Sequence, residues 1–380
     1  MMFAQLARYE TKLKQLEQEG RRRTLTGHAG LDFTSNDYLG LAGSERLTKA
    51  IMAALERGVP AGAGGSRLLR GNHPEHEALE TEAAAFFGTE HSLYFGSGYA
   101  ANLAVLATLP QPDDIVIHDS LVHASAHAGI AAGRASAISV PHSDVGAFAD
   151  VLRRWRLDGG KGHPWIVVES LYSMDGDRAP LRELAELADR YDGFLFVDEA
   201  HATGVHGPNG RGLAAGLEGR DNVIVLHTCG KALGASGALV GASRLLCDYL
   251  VNRAKPFIYA TAPSPLQAAC VREALKILVD EPDRQTRLRD LMRAADRVAI
   301  EWLGYSSGSQ IQPVMIGANG RTKMVAEHLR ASGFDVRAIR PPTVPTGTAR
   351  LRIAVTLNVT ARDIAALFER LGQVLQDEVP

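Results

Sequence analysis

Cysteine is scarce in this chain of 380 residues: there are three, Cys229, Cys247 and Cys270, and none belongs to a C-x-x-C pair. An odd number without paired spacing argues against a disulfide framework and is typical of proteins from reducing compartments. Net charge is also small, at −2. The sequence therefore has no general excess of positive charge with which to bind nucleic acid or an anionic membrane surface.

Long apolar runs are missing as well. No run approaches the roughly 20 residues that span a bilayer, and the amino terminus lacks the charged-then-apolar pattern of a signal peptide. The glycine-rich stretch 58–71 contains no G-K-[ST], which excludes a P-loop there. His73 and His76 have no third ligand at a suitable spacing, whereas Asn72 and Pro74 predict the start of a helix. We therefore expect a cytoplasmic protein that binds neither membrane nor metal.

The composition does allow a large core, because 46% of the residues are hydrophobic and the length predicts more than one domain. We predict a helical arm at 1–30, a large α/β domain at 31–280 and a small α+β domain at 281–380. In the large domain, short apolar runs alternate with amphipathic stretches, which indicates a mostly parallel sheet sandwiched by helices. The predicted strands of that sheet are 92–95, 115–118, 137–140, 165–169, 194–197, 223–226 and 237–241. The small domain is predicted to contain helices at 284–303, 322–332 and 361–375, and strands at 311–316 and 351–355.

The loop after the first predicted strand reads F-G-S-G-Y-A-A-N at 95–102 and opens a helix. Free backbone N–H groups and the helix dipole at such a turn bind phosphate. The same letters satisfy G-x-G-x-x-A, and Asp119 ends the next strand, so a dinucleotide-binding fold is an open alternative. A plain tight turn is a third reading of this loop.

Two further apolar strands lead into ionisable side chains. One ends at Asp198, with His201 three residues later, and the next leads through Thr228 to Lys231. A helix-capping aspartate and a surface lysine are the ordinary alternatives, but buried charges at strand ends need partners. Pyridoxal phosphate offers both partners, an aldehyde for the amine and a basic ring nitrogen for the carboxylate. Together with the phosphate-binding loop, these residues favour pyridoxal phosphate over a nicotinamide cofactor, which needs no lysine.

A series of short motifs occurs in one order along the chain. They are S-N-D-Y-L-G-L at 35–41, G-G-S-R at 64–67, S-G-Y-A-A-N at 97–102, H-A-S at 123–125, S-M-D-G-D at 173–177, D-E-A-H at 198–201 and T-C-G-K at 228–231. In this order they resemble the α-oxoamine synthases, fold-type I pyridoxal-phosphate enzymes that condense an amino acid with an acyl-CoA. The run I-R-P-P-T-V-P-T-G-T-A-R-L-R at 339–352 resembles one branch. That branch joins L-alanine to a pimeloyl thioester, carried by CoA or acyl carrier protein, in biotin biosynthesis.

The resemblance implies roles for residues around the cofactor ring. Lys231 would hold the cofactor covalently and then remove the Cα proton of the amino acid, and Asp198 would keep the ring nitrogen protonated. His123 would stack on the ring, and His201 would hydrogen-bond its phenolic oxygen. Ser173 would lie beside the cofactor.

The cofactor phosphate and the substrates have their own implied contacts. Gly98, Tyr99 and Thr228 would hold the phosphate, with Thr261 reaching it from a second subunit, because active sites of this family lie in a homodimer. The resemblance also implies substrate contacts. Arg352 would bind the amino-acid carboxylate, and His123 would also contact the substrate. Thr343 and one of Arg21–Arg23, of which we choose Arg21, would contact the acyl chain.

Departures from the family pattern concern substrate fit. Asn358 stands where the branch usually carries a histidine, and Cys229 replaces a phenylalanine before Gly230-Lys231. They leave open a sister activity that uses glycine or serine with another acyl-CoA. A protein of another class, a non-catalytic partner subunit with the same fold, would have no need of Lys231.

Overall fold

The computed structural model describes residues 4–377. The first few residues of the predicted arm and the last few residues of the predicted small domain lie outside the described residues. The helices are α1 (Ala4–Gln18), α2 (Glu45–Glu56), α3 (Pro74–Phe87), α4 (Gly98–Thr108), α5 (Ala124–Ala132), α6 (Val145–Leu157), α7 (Leu181–Arg190), α8 (Arg244–Arg253), α9 (Lys255–Ile258), α10 (Pro265–Asp280), α11 (Asp283–Leu303), α12 (Asn319–Ala331) and α13 (Ala361–Asp377). Among these helices, none combines the length and the apolar character needed to cross a bilayer.

The strands pair into three sheets. They are β1 (Leu31–Asp32), β2 (His91–Phe95), β3 (Ile115–Asp119), β4 (Ser136–Val140), β5 (Pro164–Glu169), β6 (Phe194–Asp198), β7 (Val223–Thr228), β8 (Ala238–Ala242), β9 (Ile311–Gly317), β10 (Phe334–Asp335), β11 (Arg337–Ile339) and β12 (Ala349–Ala354). The residues group into two compact units, a larger one (39–173 and 177–286) and a smaller one (4–38, 174–176 and 287–377). The proposed domain limits at 30 and 280 stay a prediction.

The larger unit contains a seven-stranded sheet in the order β2-β8-β7-β6-β5-β3-β4. Among the described strands of this sheet, β8 alone runs opposite to the other six, and it pairs antiparallel with β2 and β7. Each strand predicted from the apolar runs is present, with its limits shifted by a residue or two at most. The predicted mostly parallel sheet is therefore confirmed.

Both faces of this sheet are buried, which explains why its strands are apolar throughout. Side chains alternate along a strand: Val167 and Phe196 join a cluster with α4, whereas Val168 and Val197 join a cluster with α6 and α7. Such two-sided burial produces continuous Val, Ile and Leu runs. Because side chains alternate, the buried residues of a strand show which face of the sheet the polar side chain at its end lies on.

The smaller unit contains an antiparallel sheet in the order β11-β12-β9 and a short parallel pair, β1 with β10. Helix α12 packs on the three-stranded sheet and on α13. Strands β9 and β12 and the three helices α11–α13 lie where the sequence predicts them, whereas β1, β10 and β11 were not predicted. These strands are two or three residues long, so they carry no measurable alternation of apolar and polar positions.

Candidate active site

Three neighbouring parallel strands of the larger unit end in polar side chains. Glu169 ends β5, Asp198 ends β6 and Thr228 ends β7, and Glu169 and Asp198 are direct partners in the ladder. All three are buried, with exposures of 3%, 5% and 8%. By alternation they share the face of Val167 and Phe196, which is the face covered by α4. In open α/β sheets, ligands bind beyond these carboxyl ends.

The Asp198 carboxylate accepts two hydrogen bonds from its own protein. The Ala200 amide donates to Oδ1 at 2.9 Å, and the Asn102 side chain on α4 donates from Nδ2 to Oδ2 at 2.7 Å. Asn102 Nδ2 also donates to Ser125 Oγ at 2.9 Å, which lies 2.7 Å from Nδ1 of His123. A hydrogen-bonded chain thus runs from Asp198 to His123. Asp198 caps the local turn and is also fixed in orientation by α4.

Asn102 and Ser125 both lie within the sequence motifs, but the motifs predicted a role for neither side chain. The available signal was Asn102, a polar side chain in the apolar stretch 100–107 that proves to be only 2% exposed. A buried amide needs partners, and here it has two acceptors. Its partners could not be named from the sequence because they lie on other elements.

Lys231 lies in the connection between the antiparallel strands β7 and β8. Backbone bonds close this connection: the Gly234 amide donates to Lys231 O, and the Ala235 amide donates to Cys229 O, both at 2.9 Å. Gly234 has φ +62°, and a Cβ there would lie 2.4 Å from the carbonyl carbon of Leu41, so glycine is required. Lys231 Nζ is half-buried and lies 2.9 Å from Nε2 of His201, which is itself 5% exposed. The predicted lysine and histidine therefore lie in direct contact.

Glu169 is the second acid at these strand ends. Burial raises its pKa well above the usual range, the Asp198 charge raises it further, and Lys231 opposes the shift. Its Oε2 accepts a hydrogen bond from the Ser173 amide at 3.2 Å, while Oε1 is buried and has no partner among the described residues. An unpartnered buried oxygen costs free energy. The protonated form of Glu169 is therefore favoured, and Ser173 is held next to it.

His123 is the amino-terminal cap of α5, where its Nδ1 accepts from the Ser125 amide at 3.3 Å. The residue is exposed overall, yet enough protein surrounds the imidazole to desolvate it. This desolvation lowers the pKa of His123, the Asp198 carboxylate offsets part of the shift, and the Lys231 ammonium lowers the pKa further. A neutral ring with an accessible face can stack on a planar ligand.

The loop at 95–98 supplies a site for an anion. Ser97 caps α4 by accepting the Ala100 amide at 3.1 Å, and α4 begins at Gly98. The first N–H groups of a helix, here those of Gly98 and Tyr99, have no acceptor inside the helix. A Cβ built on Gly98 would lie 3.7 Å from Thr228 Oγ1, so the hydroxyl lies beside the start of the helix. These donors can hold a phosphate.

Asp119 does not support the dinucleotide alternative. In the alternation of β3 it follows Ile117 onto the face of α6 and α7, opposite to Asp198. Its carboxylate is completely buried and accepts from the Leu121 amide at 2.8 Å, the Ser143 amide at 2.7 Å and His142 Nδ1 at 3.0 Å. A carboxylate occupied by these donors is not available to a ribose.

The histidines of α3 also have structural partners. His73 Nδ1 caps the helix by accepting the Glu75 amide at 3.1 Å, and His76 Nδ1 accepts the His73 amide at 3.2 Å. His76 Nε2 contacts the carbonyl of Pro263 at 2.8 Å. The helix start is as predicted, with His73 rather than Asn72 as the cap. Within residues 4–377, no group of His, Cys, Asp or Glu side chains has a metal-holding arrangement.

In the smaller unit, Arg352 lies on β12 with 7% exposure. Its Nη2 donates to Asn36 Oδ1 at 2.9 Å and to the Tyr38 hydroxyl at 3.1 Å. Burial raises the pKa of Tyr38, and the Arg352 charge opposes that shift, so the phenol stays protonated at neutral pH. Two neutral oxygens orient this guanidinium, whose shape is suited to binding a carboxylate.

The arginines at 21–23 have different partners within the smaller unit. Arg21 pairs with Glu19 at 2.9 Å and donates from Nε to the Pro341 carbonyl at 3.3 Å. Arg22 pairs with Glu17 at 2.7 Å. Arg23 donates to the hydroxyl of Thr343 at 3.0 Å. Arg21 and Arg23 therefore both contact the segment 341–343, and Arg21 is the only one of these three that is half-buried.

Three other residues singled out in the sequence have plain surroundings. Thr261 is exposed, and the next amide, that of Ala262, donates to Gly65 O at 2.9 Å. Asn358 Nδ2 donates to Asp37 at 3.2 Å in an exposed contact. Cys229 is completely buried, and burial raises the pKa of its thiol. Cys229 therefore has the character of a core side chain.

The donor set of the larger unit fits pyridoxal phosphate. It offers an amine, an oriented carboxylate, two imidazoles and a phosphate-binding helix start, and Glu169 Oε1 is left without a protein partner among the described residues. The residues expected to hold this cofactor are Gly98, Tyr99, His123, Ser173, Asp198, His201, Thr228 and Lys231. Their assignment stays a prediction, since it rests on their chemistry and on the resemblance.

Comparison with known proteins agrees with this geometry. The family model aminotransferase class I and II matches residues 29–371. An 8-amino-7-oxononanoate synthase of Anaeromyxobacter dehalogenans (strain 2CP-1) is 43% identical, with 97% of this chain and 96% of the relative covered. The solved structure of the Francisella tularensis 8-amino-7-oxononanoate synthase is 28% identical, with a TM-score of 0.78 over 92% of this chain and 98% of that one.

One further solved structure is similar in fold. It is a serine palmitoyltransferase from S. paucimobilis with bound PLP, 24% identical, with a TM-score of 0.89 and 99% of both chains covered. At this identity the likeness concerns the fold alone. Together these comparisons confirm the predicted fold class, a fold-type I transferase, and the predicted cofactor.

Proposed function

The chain belongs to the aminotransferase class I and II family, and on that premise we propose that it condenses L-alanine with a pimeloyl thioester to form 8-amino-7-oxononanoate. It is an enzyme, a C-acyltransferase, and its cofactor is pyridoxal 5'-phosphate. The reaction joins the alanine Cα to the acyl carbonyl carbon and releases the carrier thiol and CO2. The observation that carries the reaction class is the contact of Lys231 with His201 beside the strand end at Asp198. The proposed substrates rest on the name of the similar proteins, 8-amino-7-oxononanoate synthase.

The cofactor, when bound, withdraws electrons from the alanine Cα. The protein residues hold and move the protons: Lys231 Nζ accepts the Cα proton, and Asp198, oriented by Asn102, keeps a positive charge stable at the ring nitrogen. His123 would stack on the ring, while His201 would donate to its phenolic oxygen. Arg352 would bind the alanine carboxylate through its guanidinium.

The substrates are tested by crossing amino acids with acyl thioesters. Purified full-length protein is assayed with alanine, glycine and serine against pimeloyl-, acetyl-, succinyl- and palmitoyl-CoA, with release of CO2 and thiol as readouts. We expect the pair of alanine and pimeloyl-CoA to have the highest kcat/KM. A higher value for glycine or serine would instead identify a sister α-oxoamine synthase. No turnover with any pair, despite a bound cofactor, would favour the non-catalytic subunit.

Arg21 is proposed to bind the free carboxylate of the pimeloyl chain, because it is half-buried and anchored to the Pro341 carbonyl. We expect Arg21→Ala to raise the KM for pimeloyl-CoA about tenfold, equivalent to about 1.4 kcal/mol of binding, with kcat almost unchanged. Arg22→Ala is the matched control, because Arg22 is exposed whereas Arg21 is half-buried. Equal KM values for Arg21→Ala and the wild type would refute the assignment. A parallel Arg23→Ala variant tests whether the contact of Arg23 with Thr343 affects the KM for pimeloyl-CoA.

We also propose a homodimer, in which Thr261 of one copy contacts the phosphate bound by the other. Tyr259, two residues before Thr261, is 80% exposed, so its ring is available to such an interface. Light scattering of the purified protein gives the mass directly. A cytoplasmic location is supported by the three buried cysteines, which are all unpaired.

A further inference from the structure

His142 is a polar residue to which neither the motifs nor the proposed reaction gives a role. It follows β4 in the larger unit and is hydrogen-bonded to an acid at each ring nitrogen. Nδ1 lies 3.0 Å from the Asp119 carboxylate, and Nε2 lies 2.7 Å from Asp177 Oδ2. The ring also packs edge-on against Tyr172, with 4.3 Å between centroids. Ionised carboxylates only accept hydrogen bonds, so an imidazole can bond to both only when it carries both protons.

Asp119, the first of these acids, is hydrogen-bonded to the turn at 121–123, which ends at His123. Besides His142, Asp119 accepts the Leu121 amide at 2.8 Å, and the Val122 amide donates to the Asp119 carbonyl at 3.3 Å. These bonds set the turn that leaves β3 and delivers His123 two residues later. Asp119 is completely buried, so its charge needs the imidazolium and the two backbone amides that surround it.

Asp177, the second acid, is hydrogen-bonded through its backbone to the segment that carries Ser173. Leu171 and Arg178 form an antiparallel bridge, and the Tyr172 amide donates to the Asp177 carbonyl at 2.9 Å. Asp177 therefore lies opposite Tyr172 in this hairpin stem. From the other side, Glu169 accepts the Ser173 amide. His142 thus contacts a residue of each of the two segments that deliver His123 and Ser173.

We propose that His142 is a positioning residue for the cofactor site: as a doubly bonded imidazolium, it ties the turn before His123 to the hairpin stem that carries Ser173. The charged and titratable groups that face it are Asp119 on β3, and Asp177 and Tyr172 on the hairpin stem. The proposal rests on the cofactor contacts assigned above to His123 and Ser173. It predicts that the tie persists at every pH at which the enzyme works.

Electrostatics agree with this assignment. Burial opposes protonation of His142, but the hydrogen bonds and charges of Asp119 and Asp177 outweigh it and raise the pKa to about 10 from 6.5. A group whose pKa is raised on folding adds stability that is fully present below 6.5 and is lost as pH rises through about 10. At pH 7–8, therefore, His142 stays protonated while histidines with ordinary pKa values are neutral.

The first measurement uses the full-length protein labelled with ¹⁵N in its histidine rings. At pH 8 we expect one imidazolium signal with both nitrogens protonated, which disappears in His142→Gln and persists in His163→Gln. His163 is a suitable control because it is exposed and its ring Nδ1 lies 3.4 Å from the Asp192 carboxylate. A neutral His142 ring at pH 8 would overturn the proposal. This signal requires no activity, so it is informative even if the proposed reaction is wrong.

The second measurement is the dissociation constant of pyridoxal phosphate, expressed at each pH as a ratio to the wild type. His142→Gln keeps one donor but no charge, so we expect weakening of about tenfold, or about 1.4 kcal/mol, that does not vary with pH. Asp177→Asn lowers the pKa of His142, so its affinity is expected to approach that of the wild type at pH 6.5 and to fall by pH 9. His163→Gln should leave the ratio at one.

The pH pattern separates positioning from general stability. If His142 had a purely structural role, Asp177→Asn would weaken the binding of pyridoxal phosphate equally at all pH values. That outcome would contradict the proposal. Thermal unfolding of each variant is recorded alongside. If His142→Gln does not fold, Asp177→Asn and the ring signal of the wild type still decide the question.

Discussion

Lys231→Ala is expected to fold and to make no detectable product, with kcat reduced by at least roughly a thousandfold, the scale at which acid–base residues contribute. The lysine is proposed both to hold the cofactor and to carry the Cα proton, and its neighbour His201, 2.9 Å away, is an imidazole that cannot replace the amine. Borohydride treatment of the wild type should trap the cofactor on the peptide containing Lys231. The variant should bind pyridoxal phosphate reversibly and give no trapped peptide.

The control for this experiment is Lys161→Ala, which removes an exposed lysine from the same unit. Its activity and borohydride trapping should match those of the wild type. Because Lys231 is only half-buried, the thermal unfolding of Lys231→Ala should change little. Full activity of Lys231→Ala, or trapping at a different lysine, would show that the proposed role is wrong.

Asp198→Asn is expected to have the second largest effect, lowering kcat by at least roughly a hundredfold while some cofactor still binds. The substitution keeps the size of the side chain but removes the charge that stabilises a protonated ring nitrogen. It also leaves one oxygen for two donors, the Ala200 amide and Asn102, so one of these hydrogen bonds is lost. The absorbance of the bound cofactor and kcat over pH 6–9 measure the effect.

Asp192→Asn is the matched control for that substitution. Asp192 is exposed and has φ +53°, a conformation that asparagine adopts readily, so no loss of folding is expected. Asp198→Glu, which restores the charge at a longer reach, should recover part of the activity. A variant Asp198→Asn with wild-type kcat would exclude the proposed role of this carboxylate.

The strands of the large sheet could be predicted because burial on both faces makes them continuously apolar. β5 and β6 are examples: nearly all their residues are buried, and each leads directly into a polar side chain. The same reasoning could not find β1 or β10, which have two residues each, nor say that β8 runs antiparallel to β7. Strand direction depends on how the chain returns to the sheet, and an apolar run carries no information about that.

Candidate residues on strand ends could be predicted, whereas the residues that orient them could not. Asn102 and Asp198 are 96 positions apart, and Arg352 is 316 positions from Asn36, yet both pairs are hydrogen-bonded. Contacts over such separations exist only once helices have packed on the sheet. His142 was overlooked for the same reason, since both of its acids lie on other segments.

Apolar periodicity and short motifs are local properties of the chain, so they were enough to predict the alternating architecture, the cofactor class and the candidate residues for the chemistry. Tertiary structure alone decided that Asp119 faces away from Asp198, that Asn102 orients Asp198, and that His142 joins two loop segments. The physical reason is that hydrogen bonds and pKa values depend on distance and burial. Those quantities are defined only when distant segments of the chain are packed together.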